Sequence, residues 1–192
     1  METKNIMIVG VGGQGTLLAS KLLGRLFLAR GCDVKVSEVH GMSQRGGSVV
    51  TYVRCGDKIF SPIIEKGEAD IILSFELLEA ARWIEYLKDG GLIVTSDRKI
   101  NPMPVITGAA SYPENLVEKI KASGAKVDAF DALAPAEEAG NAKAVNLVLL
   151  GRLSNYFDFT EDEWNNAIDE SVPEKFAEMN RRAFALGRNN KD

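Results

Sequence analysis

The chain has 192 residues, one histidine, two cysteines and a formal net charge of −4. That length bounds it to one domain, or one with a C-terminal extension, with enough apolar residues for a substantial core. The acidic balance argues against general nucleic-acid binding, no apolar run approaches the roughly 20 residues needed to cross a bilayer, and two thiols fall short of the four that a [4Fe–4S] cluster ordinarily takes.

Asn5–Val9 predicts a first strand, stopped by glycines. Gln14–Ala29 carries apolar side chains at helical spacing (Leu18, Leu22, Leu26, Ala29), with Gly31 closing the helix. Asp33–Val39 alternates as a second strand and Ser48–Arg54 is a third, with Gly56-Asp57 as a hairpin turn into Lys58–Ser61. Asp70–Phe75 is a continuous apolar strand of the kind buried on both faces of a parallel sheet. A helix over Leu77–Leu87, a turn at Gly90-Gly91 and a strand over Leu92–Thr95 follow. Pro102, Pro104 and Gly108 mark irregular chain before a helix at Pro113–Ala122 and a strand at Lys126–Phe130. The rest reads as helices over Ala142–Phe157, Glu161–Ile168 and Pro173–Leu186, and the polar tail Gly187–Asp192 is expected to fray.

Strands alternating with helices predict an α/β fold. The expected architecture is an open, mostly parallel, doubly wound (Rossmann-like) sheet with helices on both faces and a helical C-terminal third. One domain spans 1–192, with its sheet portion at 1–141 and its C-terminal helices at 142–186. In the first of these helices the apolar residues Val145, Leu147, Val148, Leu149, Leu150 and Leu153 surround the axis, which predicts burial from more than one side, in the core or against another subunit. In the last, Val172, Phe176, Met179, Ala183 and Leu186 form the expected core stripe. Lys143 and Asn146 share a face and are placed to cap or pair locally. Cys32 and Cys55 are expected to be small, reduced, semi-buried residues of a cytosolic protein. The N-terminus lacks a secretory pattern, which also points to the cytoplasm.

Two glycine-rich segments carry the functional signal. Gly10-Val-Gly-Gly-Gln-Gly15 has the G-x-G-x-x-G spacing after a strand and at a helix opening. Gly10, Gly12, Gly13, Gln14 and Gly15 are therefore candidates for an anion or ligand loop, with Glu38 near the position of a ribose-binding acid. An NAD(P) site, a simpler phosphate contact, and glycines that merely let the helix pack closely all remain open here. Against NAD(P) stands the little chain left over to hold a substrate.

The second segment runs from His40 to Gly47 and contains Ser43, Gln44, Arg45 and Gly46. It follows a strand, at the edge where doubly wound folds meet ligands. Arg45 can pair bidentately with a carboxylate or phosphate, and the neighbouring N–H groups can form an anion nest. A solvated turn, with Arg45 paired to Glu38, is the plainer reading. His40, the only histidine, would have to supply any histidine-based proton transfer. The sequence has no nucleophile elbow and no Walker motif, so as a catalyst the chain looks incomplete.

Taken in order, Ile8-Val-Gly-Val-Gly-Gly-Gln-Gly15, Val39-His-Gly-Met-Ser-Gln-Arg-Gly-Gly-Ser48 and Lys143-Ala-Val-Asn146 with Leu150-Gly151 resemble the gamma-type domain of 2-oxoacid:ferredoxin oxidoreductases. The second motif is most similar to the small (beta) subunit of the indolepyruvate type. The resemblance covers essentially the whole chain. It implies a large (alpha) partner subunit carrying thiamine diphosphate, Mg2+ and [4Fe–4S] clusters, and no cofactor or metal in this chain. The complex would oxidatively decarboxylate an aryl 2-oxoacid, form an acyl-CoA and pass electrons to ferredoxin. His40, Ser43, Gln44, Arg45, Gly46 and Gly47 would then face coenzyme A or the large subunit, and the isolated chain could form a homodimer. A stand-alone NAD(P)-binding reductase and a nucleotide-sensing domain are the alternatives.

Overall fold

The short apolar runs of the first two thirds of the chain become strands of one sheet. In the computed structural model, which describes residues 2–38 and 42–190, these are β1 (Lys4–Val11), β2 (Asp33–Glu38), β3 (Ser48–Gly56), β4 (Ala69–Ser74), β5 (Leu87–Ser96) and β6 (Lys126–Phe130). Their order is β2-β3-β1-β4-β5-β6. β1, β4, β5 and β6 are parallel, while β3 runs antiparallel to both its neighbours, β1 and β2.

The alternation of side chains along β1 sorts the helices onto two faces. Ile6 and Ile8 enter the larger core with α1 (Thr16–Ala29), α5 (Leu133–Glu138), α6 (Val145–Ser154), α7 (Glu161–Asp169) and α8 (Glu174–Asn189). Met7 and Val9 point the other way, with Ala80 of α2 (Leu77–Arg82) and Ile120 of α4 (Leu116–Ala122). A one-turn helix, α3 (Met103–Ile106), lies in the chain between β5 and α4.

Several local expectations change. Lys58–Ser61 is not a strand. β3 finds its antiparallel partners in β1 and β2, which it separates, so no hairpin forms at Gly56-Asp57. The helix expected to reach Leu87 ends at Arg82, followed by one tight turn at Ile84–Tyr86. Leu87 already pairs with Ala69 of β4, and the ladder resumes at Ile71 and Leu92, so the chain between Leu87 and Leu92 bulges around Gly90 at φ 68°. α5 was not foreseen; Asp131 Oδ1 accepts from Leu133 N at 2.8 Å, and Pro135 sits in its first turn where no N–H is needed.

The last helix also differs. It runs to Asn189, so Gly187–Asn189 are helical rather than frayed. Its buried residues are Ala177, Asn180, Ala183, Phe184 and Gly187, whereas Phe176 is exposed. The expected stripe selected the largest apolar residues. Close approach to α6 instead favours small ones, and Val172, Met179 and Leu186 pack only at its border.

Candidate functional site at the carboxyl edge of the sheet

The carboxyl ends of the parallel strands lie along one edge, and antiparallel β3 begins there, with Ser48 opposite Val11. Both glycine-rich segments therefore arrive at the same place, which is where open α/β sheets hold ligands.

The first loop is built by Gln14. Its Oε1 accepts from Val11 N at 2.7 Å and its Nε2 donates to the Phe75 carbonyl at 3.0 Å. This side chain ties the end of β1 to the end of β4. Gly10, inside β1, makes room for it, since a Cβ there would lie 2.9 Å from Gln14 Oε1 and 3.0 Å from Phe75 Cβ. Gly13 and Gly15 adopt φ of 95° and 88°, a region that glycine enters freely.

The second segment forms a tight turn over Met42–Arg45, with Gly46 at φ 97°. Gly47 N donates to the Ser43 carbonyl at 2.9 Å, and the Gly47 carbonyl accepts from Gly12 N at 2.8 Å. The two segments thus touch through their backbones. His40 and the side chain of Gln44 lie outside the described residues. Arg45 is exposed and has no ion pair among the described residues. Glu38, its expected partner, instead accepts from Ser20 Oγ at 2.8 Å.

A buried acidic layer supports this edge. Glu79, 4% exposed, accepts from Ser48 Oγ and, at 3.1 Å, from Arg82 Nε. Glu76, 1% exposed, caps α2 through Glu79 N at 2.9 Å and accepts from Tyr112 Oη at 2.6 Å and from Ile100 N at 3.0 Å. Burial, reinforced by the bond to Glu76, pushes the Tyr112 hydroxyl well above its ordinary range and keeps it protonated as a donor. Sequence reasoning missed both acids, because two glutamates at a helix start look like ordinary dipole partners.

Two hollows open beside the first loop. One, about 310 Å³, is lined by Gly12, Gly13, Gly15, Thr16, Leu17, Val49 and Thr51. The other, about 720 Å³, lies between Val11–Gly15, Arg98 and Ala142–Asn146. Arg98 escaped the sequence reading, although its place just past the end of a parallel strand was a usable signal. Asn141 caps the turn before α6, accepting from Lys143 N at 2.9 Å, and Asn146 pairs locally as expected, its Oδ1 accepting from Leu147 N at 2.9 Å.

The topology removes the dinucleotide reading. That fingerprint needs the strand bearing the acid directly beside β1. Here β3 lies between them, which carries Glu38 one strand spacing, about 4.8 Å, further off. Iron–sulfur ligation fits no better. The chain has two cysteines, both buried, and among the described residues no group of three or more His, Cys, Asp and Glu could hold a metal.

Residues 5–190 match the family model of pyruvate ferredoxin/flavodoxin oxidoreductase. The indolepyruvate oxidoreductase subunit IorB of Thermococcus kodakarensis is 48% identical, the alignment covering 97% of this chain and 95% of that one. Its Pyrococcus horikoshii counterpart is 47% identical over the same shares. Among solved structures, the gamma subunit of a keto/oxoacid ferredoxin oxidoreductase from Geobacter sulfurreducens superposes with a TM-score of 0.70 at 24% identity, over 96% of this chain and 95% of that one. The 2-oxoglutarate:ferredoxin oxidoreductase of Magnetococcus marinus gives 0.73 at 18% identity, over 98% of this chain but 31% of that one. Matched by that family model over residues 5–190 and by relatives at 47–48% identity over nearly its whole length, this chain belongs to the pyruvate ferredoxin/flavodoxin oxidoreductase family.

Proposed function

We propose that the chain is the small subunit of an indolepyruvate-type 2-oxoacid:ferredoxin oxidoreductase, working in the cytoplasm. The complex oxidatively decarboxylates an aryl 2-oxoacid to an acyl-CoA and passes the electrons to ferredoxin. Thiamine diphosphate, Mg2+ and the [4Fe–4S] clusters belong to the large subunit. The likeness to IorB subunits at 47–48% identity over nearly the whole chain carries this reading. The donor chemistry supports it, because a cluster needs four thiolates and burial pushes the Cys55 thiol up to about 12. The chain acts as one domain, for its sheet and C-terminal helices share the larger core.

In this role the segment His40–Gly47 faces the large subunit or the anionic part of coenzyme A. The motivation is the exposed Arg45, which has no ion pair among the described residues and ends a turn held against the first loop. The test is to produce the chain alone and together with the large subunit of an indolepyruvate enzyme. The pair should co-purify and reduce ferredoxin with indolepyruvate and coenzyme A, while the chain alone should do neither. Turnover by the isolated chain with a soluble electron carrier, or failure to bind the large subunit, would overturn the proposal.

A further inference from the structure

Building on the small-subunit reading above, we infer that the arm between β5 and α4, residues 101–111, docks against an apolar surface of the large subunit and is held in position by Glu76.

The arm is apolar and nothing in its own chain covers it. No residue from 100 to 113 is charged, in a chain where 26% are. Charge-free, apolar stretches ordinarily go to the interior. Here, among the described residues, none of 101–111 is buried, and Met103 and Ile106 of α3 are 65% and 64% exposed. Three residues apart on one helical turn, these two side chains share a face. Absence of charge with Met and Ile exposed side by side is the composition of an interface centre, not of a solvated loop.

The arm is also shaped in advance. Ile106 N donates to the Pro102 carbonyl at 3.1 Å, Thr107 N to the Met103 carbonyl at 2.9 Å and Ala110 N to the Pro104 carbonyl at 3.0 Å. Its two ends meet on a single atom, for Glu76 Oε1 accepts from Ile100 N at 3.0 Å and from Tyr112 Oη at 2.6 Å. A segment closed at its ends and bonded within itself is a compact Ω-loop, a class of loop that is frequently functional. Ordering an exposed segment costs conformational entropy that no core packing offsets. A partner that meets it already ordered loses less freedom on binding.

Glu76 also points to the occupant. It accepts from Glu79 N at 2.9 Å, and Glu79 accepts from Ser48 Oγ, where the chain leaves the second glycine segment. One helical turn, through two joined and buried acids, therefore fixes both the arm and that segment. In the proposed role the second segment lies towards the large subunit, and a protein seated on it meets the arm as part of the same surface.

The test uses the full-length chain and the large subunit of an indolepyruvate enzyme. Hydrogen exchange of the amides in 101–111 should slow when the complex forms. Met103→Asp and Ile106→Asp should each raise the Kd for the large subunit by about tenfold, and together by about a hundredfold. Both side chains are exposed, so the melting temperature of the isolated chain should stay close to that of the parent. Tyr112→Phe removes one of the two donors that close the arm and leaves the docking face intact. It should raise the Kd and, in the isolated chain, speed exchange within 101–111 alone, a confinement that general loss of stability would not produce. If the parent chain does not bind the large subunit, the small-subunit reading fails and this inference with it. If the parent binds and the double variant binds equally well, or the arm exchanges as fast in the complex as outside it, only the inference falls. An isolated chain that forms a dimer, split by the double variant with no change in affinity for the large subunit, would give this surface to a second copy and likewise overturn it.

Discussion

Gly187 lies directly against the carbonyl oxygen of Val148, so that a Cβ on Gly187 would stand 2.0 Å from it. The reciprocal contact has Gly151 against the Phe184 carbonyl, also at 2.0 Å. These glycines bring the α6 and α8 backbones together, and neither neighbour is a flexible side chain able to move aside. Gly187→Ala should therefore destabilise the chain by about 3 kcal/mol, measured by urea unfolding. Gly24 gives the opposite expectation. It sits inside α1, where a Cβ would meet Val36 Cγ2 at an ordinary 3.9 Å, so Gly24→Ala should stabilise by about 0.5–1 kcal/mol. Equal effects at the two positions would defeat the packing argument.

The same contact shows where reading the sequence stops. Hydropathic periodicity located α8 but selected its large residues for the core face, because a pattern of apolarity contains no information on how closely two helices approach. Strand identity was equally legible, from β1 through β6, whereas the pairing of β3 was not. The clue was available: residues 39–47 are too few for the crossover of a dozen or more residues that a parallel neighbour to β2 requires. The glycine segments were legible as candidates, since polar residues between turns at a strand end have no packing purpose. Glu79, Glu76 and Arg98 were not, because only the folded sheet edge brings them beside those segments.

Acid should weaken the link between α1 and α7 in a defined window. Arg30 donates to both carboxylate oxygens of Glu163, at 2.8 and 2.9 Å, and to Asp158 Oδ1 at 2.8 Å. The bond from Arg30, helped by Thr160 N, holds Glu163 down to about 2 from an ordinary value near 4.5. A carboxyl group depressed in the folded state adds stability above its unfolded value, and that stability is lost as pH falls through the folded value. The contribution should thus be complete above about pH 4.5 and fade towards pH 2. Glu163→Gln keeps a residue type that suits the capping box with Thr160 while removing the charge and one of the two acceptors that Arg30 uses. Its melting temperature should fall less steeply than that of the parent chain over this window; parallel curves would show that the pair contributes nothing.

Cys55 should be chemically silent. It is fully buried in β3, and burial first, then the neighbouring Cys32, pushes its thiol up to about 12. Little thiolate is present at pH 8, and reagents have no path to it. Iodoacetamide should leave Cys55 unmodified in the native chain and label it after denaturation, as mass spectrometry would read directly. Rapid native labelling would contradict both the burial and the exclusion of this thiol from metal or redox work.

Arg45 offers the sharpest test of the second glycine segment. Its turn is held from below by Ser48 bonded to the buried Glu79, and from the side by the Gly12–Gly47 bond, so the backbone does not depend on the Arg45 side chain. Arg45→Ala should leave the melting temperature of the isolated chain nearly unchanged. In the complex it should raise the apparent KM for coenzyme A, or the Kd for the large subunit, by about tenfold. Arg45→Lys separates charge from shape, because an ammonium keeps the attraction but loses the planar two-pronged contact. A lysine variant intermediate between parent and alanine would indicate a bidentate carboxylate or phosphate partner, and one equal to the parent would indicate charge alone. If both variants assemble and turn over like the parent, this segment faces neither the coenzyme nor the large subunit.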